Sequence, residues 1–532
     1  MPNEDSKQFL KGAFVLAAAA FFVKILSAVY RVPFQNIVGD VGFYIYQQVY
    51  PIYGLAAVLA TSGFPVIVSR IAAENDGKAY LKQRVQAAFL AIALAGTSLF
   101  ALTFFGAGLL AGWMGDPLLA PLIRIVSYVF LLLPFLSLWR GLYQGSGKML
   151  PPAASQMAEQ AVRVGVILFL SSYLVRHGYS LYAAGQGALA GSLAGGAAGA
   201  AVLAAFALKH RSLWPVKLAD VSFSEIKKTG RIVLLQGTAI CLSSLLLILF
   251  QFADSLFLYS RMVISGIDPL QAKALKGVFD RGQPLIQLGT VTANALSLAL
   301  VPMVASSWKQ CNQDVLKGKV LSALKWSVVI GAGASAGLFN IIKPVNIMLF
   351  KTADGSLVLG VLGLSIFFSS ILITAAGVLQ GMGHVYAPAR YMLLGLGIKA
   401  AGNWLLIPEW GTMGAAVSTL LGLLAASFFV MKKLNAHLGM GKAIKNMLLP
   451  IAMAAAAMTA VLQLWLLVLQ SAGLTGRLWS TAAALLGVAA GGAVYLSVIF
   501  KGRVFTEEES GVLPYGKRVY RFFHKHKGRP RP

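Results

Sequence analysis

Ser356–Gln380 reads SLVLGVLGLSIFFSSILITAAGVLQ, twenty-five residues without a charged side chain. A helix rises ~1.5 Å per residue and a bilayer's hydrocarbon core is ~30 Å thick, so about 20 apolar residues cross it. Outward from this run, polar breaks divide the chain into thirteen more, at about 9–30, 42–69, 85–112, 119–139, 152–175, 181–208, 231–259, 283–307, 319–342, 388–407, 410–431, 445–470 and 477–500. Fourteen spans predict an all-α polytopic membrane protein. The composition agrees: 58% of the 532 residues are hydrophobic and only 12% charged, against about 25% charged in a soluble domain. Mean hydropathy is +0.74. An ordinary soluble enzyme, a disordered chain and a disulfide-built secreted domain are excluded. The run at 9–30 reads as a span and not a cleaved leader, because it is long, follows Glu4 and Asp5, and contains Lys24. Cys241 and Cys311 form neither a disulfide framework nor a zinc site.

The net charge of +27 points to membrane topology rather than to nucleic acid. With the N-terminus inside, segments assigned to the cytoplasm hold 31 Lys and Arg, and those outside hold nine. That asymmetry is the positive-inside pattern. It predicts a multi-pass protein with both termini cytoplasmic.

The chain nearly repeats itself. Gln144-Gly145-Ser146-Gly147-Lys148 with Pro152 matches Gln380-Gly381-Met382-Gly383-His384 with Pro388, at an offset of 236, and Arg163 then falls on Lys399. Pro65 and Pro302 differ by 237, and Phe22-x-Lys24-x-Leu26-x4-Arg31 matches Phe252-x-Asp254-x-Leu256-x4-Arg261 at an offset of 230. This predicts two pseudo-symmetric six-helix lobes, 1–230 and 231–440, two further helices over 441–500, and a basic tail, 501–532. Six spans per lobe make the repeat parallel, as in carriers that rock two bundles about a central site.

Charge at bilayer depth costs at least ~2.5–3.5 kcal/mol and therefore faces a cavity or a partner. Lys24 lies mid-span, with Arg31 one heptad later on the same helix face. Asp254 mirrors Lys24 across the repeat, and the two are expected to meet, as a structural salt bridge or as a device in which Lys24 and Arg31 offer cations to an anionic substrate and Asp254 takes a coupling cation or proton. The segment 261–282 reads as the longest outside loop. It ends in Asp280-Arg281, either a solvated helix cap or an Asp orienting a guanidinium for bidentate phosphate contact. Arg163 and Lys399 are expected to snorkel to lipid phosphates. Gln380 and His384, four apart, are placed on one helix face as a polar helix end or an ion site. Gly333-Ala334-Ser335-Ala336-Gly337 lies within a span and is no nucleophile elbow. Gly145–Lys148 is no P-loop, since Leu142 and Met149 break the pattern. Gly187, Gly191, Gly195 and Gly199 form a ridge of small residues for close packing.

The span count, the cationic first helix, Phe279-Asp280-Arg281 opening span 8 and the repeated Gly-x-Gly-x4-Pro resemble the multidrug/oligosaccharidyl-lipid/polysaccharide flippase superfamily. Within it, the polysaccharide-biosynthesis branch of lipid II flippases and stage V sporulation B proteins is the most similar, over about residues 8–500. The resemblance implies substrate-binding roles for Lys24, Arg31, Asp280 and Arg281. It places coupling-ion ligands at Asp254, with Gln380 and His384 as weaker candidates. Pro284 stands where relatives carry a Glu, and the late-span-2 Arg of relatives has no counterpart.

The function expected is alternating-access transfer of an undecaprenyl-diphosphate-linked saccharide across the bacterial cytoplasmic membrane, with no covalent chemistry. No cofactor is expected beyond Na+ or H+ coupling. The partners expected are the lipid-linked saccharide and membrane lipids, and the chain is expected to act as a monomer. The alternatives are a cation-coupled multidrug exporter, which would want acidic cavity walls, and a non-transporting scaffold of envelope assembly. The tail, with Lys517, Arg518, Arg521, Lys525 and Lys527 among Tyr515, Tyr520, Phe522 and Phe523, reads as a lipid-surface segment or a retention signal.

Overall fold

The computed structural model describes residues 4–74, 78–209, 222–309, 313–384, 386–473, 476–510, 518 and 520–522. Cys311 and most of the basic tail, including Tyr515, Lys517, Phe523, Lys525 and Lys527, lie outside the described residues. The described chain is helical without strands. It packs into two compact units, Met1–Leu288 with Met392–Ser418, and Gly289–Tyr391 with Thr419–Pro532.

The first unit contains α1 (Glu4–Val29), α2 (Arg31–Val58), a π-helical turn (Leu59–Gly63), α3 (Phe64–Ala73), α4 (Lys78–Phe105), α5 (Ala107–Trp113), α6 (Ala120–Ser127), α7 (Val129–Gly145), α8 (Leu150–Arg176), α9 (Leu181–Lys209), α10 (Phe223–Ile264), α11 (Pro269–Asp280) and α12 (Gly282–Gly289). The second contains α13 (Val291–Lys309), α14 (Gln313–Phe350), α15 (Ser356–Gly363), α16 (Ser365–Gly381), α18 (Gly441–Ser471), α19 (Arg477–Lys501) and α20 (Glu507–Ser510). The long α17 (Tyr386–Leu438) is shared, its stretch 392–418 packing with the first unit.

Eleven segments are long and apolar enough to span a membrane. Two of the predicted runs fall together in Ala18–Ala73 and two in Tyr386–Leu438, while 283–307 is not among the eleven. Both long segments double back at a glycine: Gly39 (φ 69°) and Gly411 (φ 53°) break the helical path. The Tyr30 and Tyr46 hydroxyls, sixteen residues apart, approach to 2.9 Å. In a straight helix they would be ~24 Å apart. Gly39 supplies the left-handed conformation that a side chain resists.

The repeat is visible in the helix boundaries. α6 and α15, and α7 and α16, begin and end 236 residues apart, as do the starts of α8 and α17. The turn after α7, with Gly147 at φ 75°, matches the turn after α16, with Gly383 at φ 86°. In the first, Ser146, Gly147 and Lys148 donate to the carbonyls of Leu142, Gln144 and Tyr143; in the second, Met382, Gly383 and His384 donate to those of Val378, Gln380 and Leu379. Gly115 and Lys351, again 236 apart, both have positive φ (80° and 68°).

The two units differ in what they bury. All ten buried charged side chains among the described residues belong to the first: Arg31, Asp116, Arg140, Glu159, Arg163, Asp254, Lys276, Asp280, Arg281 and Lys399. Leu94, Leu102, Phe105 and Phe169 meanwhile stand exposed on its surface. Charge inside and hydrocarbon outside is what a lipid solvent selects. The second unit's interior is neutral and hydrogen-bonded: Ser327 donates to the Ser370 carbonyl (2.7 Å), Gln463 to Asn340 (2.8 Å) and Tyr495 to the Val329 carbonyl (2.7 Å).

Candidate functional site

The charged interior of the first unit is built on α2, which carries Tyr46, Tyr50 and Tyr53 on one face, four and three residues apart. Against this face α8 brings Arg163. Its Nη2 donates to the hydroxyls of Tyr30 and Tyr46, both at 2.9 Å, its Nη1 to Gln160 and its Nε to Ser192, both at 3.3 Å. Its guanidinium also lies 4.1 Å from the Tyr53 ring centre. The side chain is 1% exposed, so the expected snorkelling to lipid is corrected. A planar fork with five donors can serve four acceptors at once, which a Lys cannot.

This approach depends on the glycine ridge of α9. A Cβ on Gly195 would meet the Glu159 carbonyl oxygen at 2.5 Å and the Arg163 Cβ at 2.7 Å. One turn before Arg163, Glu159 receives Arg140 Nη2 at 2.6 Å. Arg140 also bonds Ser155 (2.8 Å) and the Ala60 carbonyl in the π-helical turn (3.2 Å). Arg140, one residue beyond the run predicted at 119–139, is fully buried.

Arg31 packs its guanidinium 4.3 Å from the Tyr50 ring centre and is 1% exposed; its Nε has no hydrogen-bond partner. It lies within electrostatic reach of Asp280. Lys24 is half-buried, and no ion pair to it is found among the described residues. Asp254 does not meet Lys24. Its Oδ1 accepts from Lys399 Nζ at 2.8 Å and from Asn403 Nδ2 at 3.0 Å, both on α17. Lys399 is wholly buried, so its predicted snorkelling is corrected too.

The presumed loop 261–282 is instead α11, helical from Pro269 and capped by Asp268. Asp280 does not orient Arg281. It binds Lys276, one turn back, at 2.6 Å, while Arg281 crosses to Asp40 beside Gly39, with Nη2 at 2.5 Å and Nε at 3.1 Å from Oδ1. Gln35 also donates to Asp40, at 2.7 Å. Asp280 and Arg281 are buried rather than a solvated cap. Further along α11, Lys273 reaches Asp116 at 3.1 Å and Tyr182 at 2.7 Å.

The structure therefore brings Arg31, Asp254, Asp280 and Arg281 into one polar interior, continuous through Lys276 and Lys399. Five carboxylates there (Asp40, Asp116, Glu159, Asp254 and Asp280) each hold one cation. Among the described residues no carboxylate bonds Arg31 or Arg163; the groups against them are tyrosine rings, hydroxyls and amides. Gln380 and His384 belong to the second unit. Gln380 ends α16, whereas His384 lies beyond the Gly383 turn, stacked on His437 with ring centres 4.6 Å apart, so they do not share a helix face. No group of three or more His, Cys, Asp or Glu able to hold a metal occurs among the described residues.

A sodium ion at Asp254, as the resemblance implies, would need oxygen donors around the carboxylate. The groups present there are an ammonium and an amide N–H, and the Asn403 carbonyl oxygen is taken by Ser418 Oγ–H. The residues do not fit the ion.

Among the described residues, then, Arg31 and Arg163 lie inside a helical membrane protein with no carboxylate bonded to either. Residues 9–308 match the family described as polysaccharide biosynthesis protein. The chain is 43% identical over 526 residues to the uncharacterized membrane protein YabM of Bacillus subtilis, covering 97% of this chain and 96% of that protein. It is 25% identical over 522 residues to the lipid II flippase MurJ of Bacillus subtilis, covering 92% and 95%. A solved structure of the lipid II flippase MurJ in an inward closed conformation shares the fold, with a TM-score of 0.67 at 13% identity, over 92% of this chain and all of that one. The chain belongs to the polysaccharide biosynthesis protein family, and it also shares the fold of a multidrug resistance MATE family transporter of the MOP superfamily in an inward-facing conformation, with a TM-score of 0.61 at 16% identity over 80% of this chain and 98% of that one. It is a multi-pass membrane protein and not an enzyme.

Proposed function

We propose that the chain moves a polyprenyl-diphosphate-linked saccharide, of the lipid II kind, between the leaflets of the bacterial cytoplasmic membrane. The observation that carries this reading is the pair Arg31 and Arg163, buried guanidiniums to which no carboxylate is bonded among the described residues. A diphosphate supplies the missing counter-charge, and Arg31 Nε is an unfilled donor for its oxygens. Lys24, seven residues before Arg31 and near the end of α1, extends the cationic path to the start of α2. The saccharide needs no chemistry, only a wet passage. The prenyl tail stays in lipid and leaves through a lateral opening as the carrier alternates between inward- and outward-open states. The protein acts as a monomer with both termini in the cytoplasm.

A multidrug exporter fits less well, because a cationic drug would meet an interior with excess positive charge. A scaffold would gain nothing from burying Arg31 unpaired. The test is rescue of a strain depleted of its lipid II flippase. The wild-type chain restores growth, and Arg31→Ala, present in the membrane at equal amount, does not. Growth supported equally by Arg31→Ala contradicts the proposal.

A further inference from the structure

Asp254 is the acid that the repeat and the resemblance both mark for a coupling cation, yet it already has one. Lys399 extends from α17 so that its ammonium lies 2.8 Å from Asp254 Oδ1, with the Phe250 ring centre 5.4 Å away. Lys399 is 0% and Asp254 2% exposed, so water screens neither. The charged groups around the pair are Lys276 and Asp280 of α11, themselves joined at 2.6 Å. Two acids thus face two ammoniums, with the Arg31 guanidinium also within electrostatic reach of Asp280. A sodium ion added to this group would leave one positive charge without a partner in a low-dielectric interior, where the penalty for an unpaired ion is severe. Steric fact points the same way: the ammonium sits on the carboxylate oxygen that a metal would coordinate, and Asn403 presents its N–H beside it.

We infer that Lys399 is the permanent cation of the Asp254 site, so that this carrier holds the site closed with its own ammonium and binds no sodium there. The inference rests on reading the chain as a carrier with a cation position at Asp254. It is independent of which lipid is carried. Asn403 and Ser418 then serve as the positioning residues of the pair: Ser418 donates to the Asn403 carbonyl oxygen and fixes the amide with its N–H toward Asp254.

The experiment compares thermal unfolding of the purified full-length protein in sodium chloride and in choline chloride at equal ionic strength, without lipid substrate. Wild type unfolds at the same temperature in both. Lys399→Ala, which leaves Asp254 unpaired and opens room beside it, unfolds earlier in choline and recovers at least half of that loss in sodium. Asp254→Asn combined with Lys399→Ala abolishes the recovery. A wild-type protein stabilised by sodium, with the effect removed by Asp254→Asn, overturns the inference. So does a folded Lys399→Ala protein indifferent to sodium, since Lys399 would then occupy no cation position. Should Lys399→Ala fail to fold, calorimetric titration of wild type with sodium chloride decides alone: no saturable heat is expected, and an Asp254-dependent one refutes the claim. Because no substrate is present, none of these outcomes depends on the diphosphate reading, which the growth test decides separately.

Discussion

Replacing Arg31 by Met separates a cation kept for a ligand from one kept for the fold. Met retains the length and apolar stem of the side chain while removing its charge. Burying a cation at membrane depth costs at least ~2.5–3.5 kcal/mol. Among the described residues no carboxylate is bonded to Arg31, since nearby Asp280 is held by Lys276, and the Arg31 Nε has no hydrogen-bond partner. The opposing term is the contact with the Tyr50 ring at 4.3 Å, worth about 2 kcal/mol when desolvated. The difference favours Arg31→Met by roughly 1 kcal/mol. The variant should therefore unfold no earlier than wild type, and slightly later, while losing the growth rescue entirely. The assay is thermal unfolding of both purified proteins in one detergent, beside rescue at matched membrane levels. A loss of several kcal/mol in Arg31→Met, of the size seen when a buried ion pair is broken, would refute the reasoning by showing that the fold supplies Arg31 with a counter-charge.

Glu159→Gln should do the opposite, because it strands Arg140 at 0% exposure. A cost of about 3–5 kcal/mol is expected, and the pair Arg140→Met with Glu159→Leu should recover most of it in the same unfolding measurement. Gly195→Ala forces its Cβ against the Glu159 carbonyl at 2.5 Å and should cost about 1–3 kcal/mol. Gly165→Ala on α8, which meets nothing within 4 Å, should be neutral or stabilising by up to about 1 kcal/mol. Arg281→Lys should not restore what Arg281→Ala loses in growth rescue, since the fork contacts Asp40 through two nitrogens. Asp40→Asn should reproduce that loss; a fully active Asp40→Asn protein would mean that Arg281 does not act through Asp40.

The architecture was readable because lipid imposes long uninterrupted apolar runs, and because the repeat carried its turn chemistry with it. The offset of 236 between Gln144–Lys148 and Gln380–His384 marks helix boundaries that recur at that spacing from α6 to the start of α17. Candidate residues were readable where a charge interrupts a run, as at Lys24 and Asp254, and Arg31 followed from its place one heptad after Lys24. Their partners were not, since a partner lies on another helix and its distance along the chain carries no information. Mirror symmetry suggested Lys24 for Asp254, whereas Lys399 takes it from 145 residues away. Arg163 and Lys399 were misread as snorkelling because helix-end position says nothing of the face a side chain occupies. Glu159, a lone acid within the run 152–175, and the spacing of Tyr46, Tyr50 and Tyr53 were signals present in the sequence. Asp40 was not, because an acid in a short connection is ordinary until Arg281 is seen against it.

The most direct test of the central claim is the affinity of the purified protein for undecaprenyl diphosphate and undecaprenyl monophosphate, in wild type and in Arg31→Met. Hydrogen bonds to charged groups contribute about 1.5–3 kcal/mol, and each 1.4 kcal/mol is about tenfold in affinity. Wild type should bind the diphosphate more tightly than the monophosphate, and Arg31→Met should weaken diphosphate binding roughly ten- to a hundredfold. Equal diphosphate affinity in the two proteins would contradict the account.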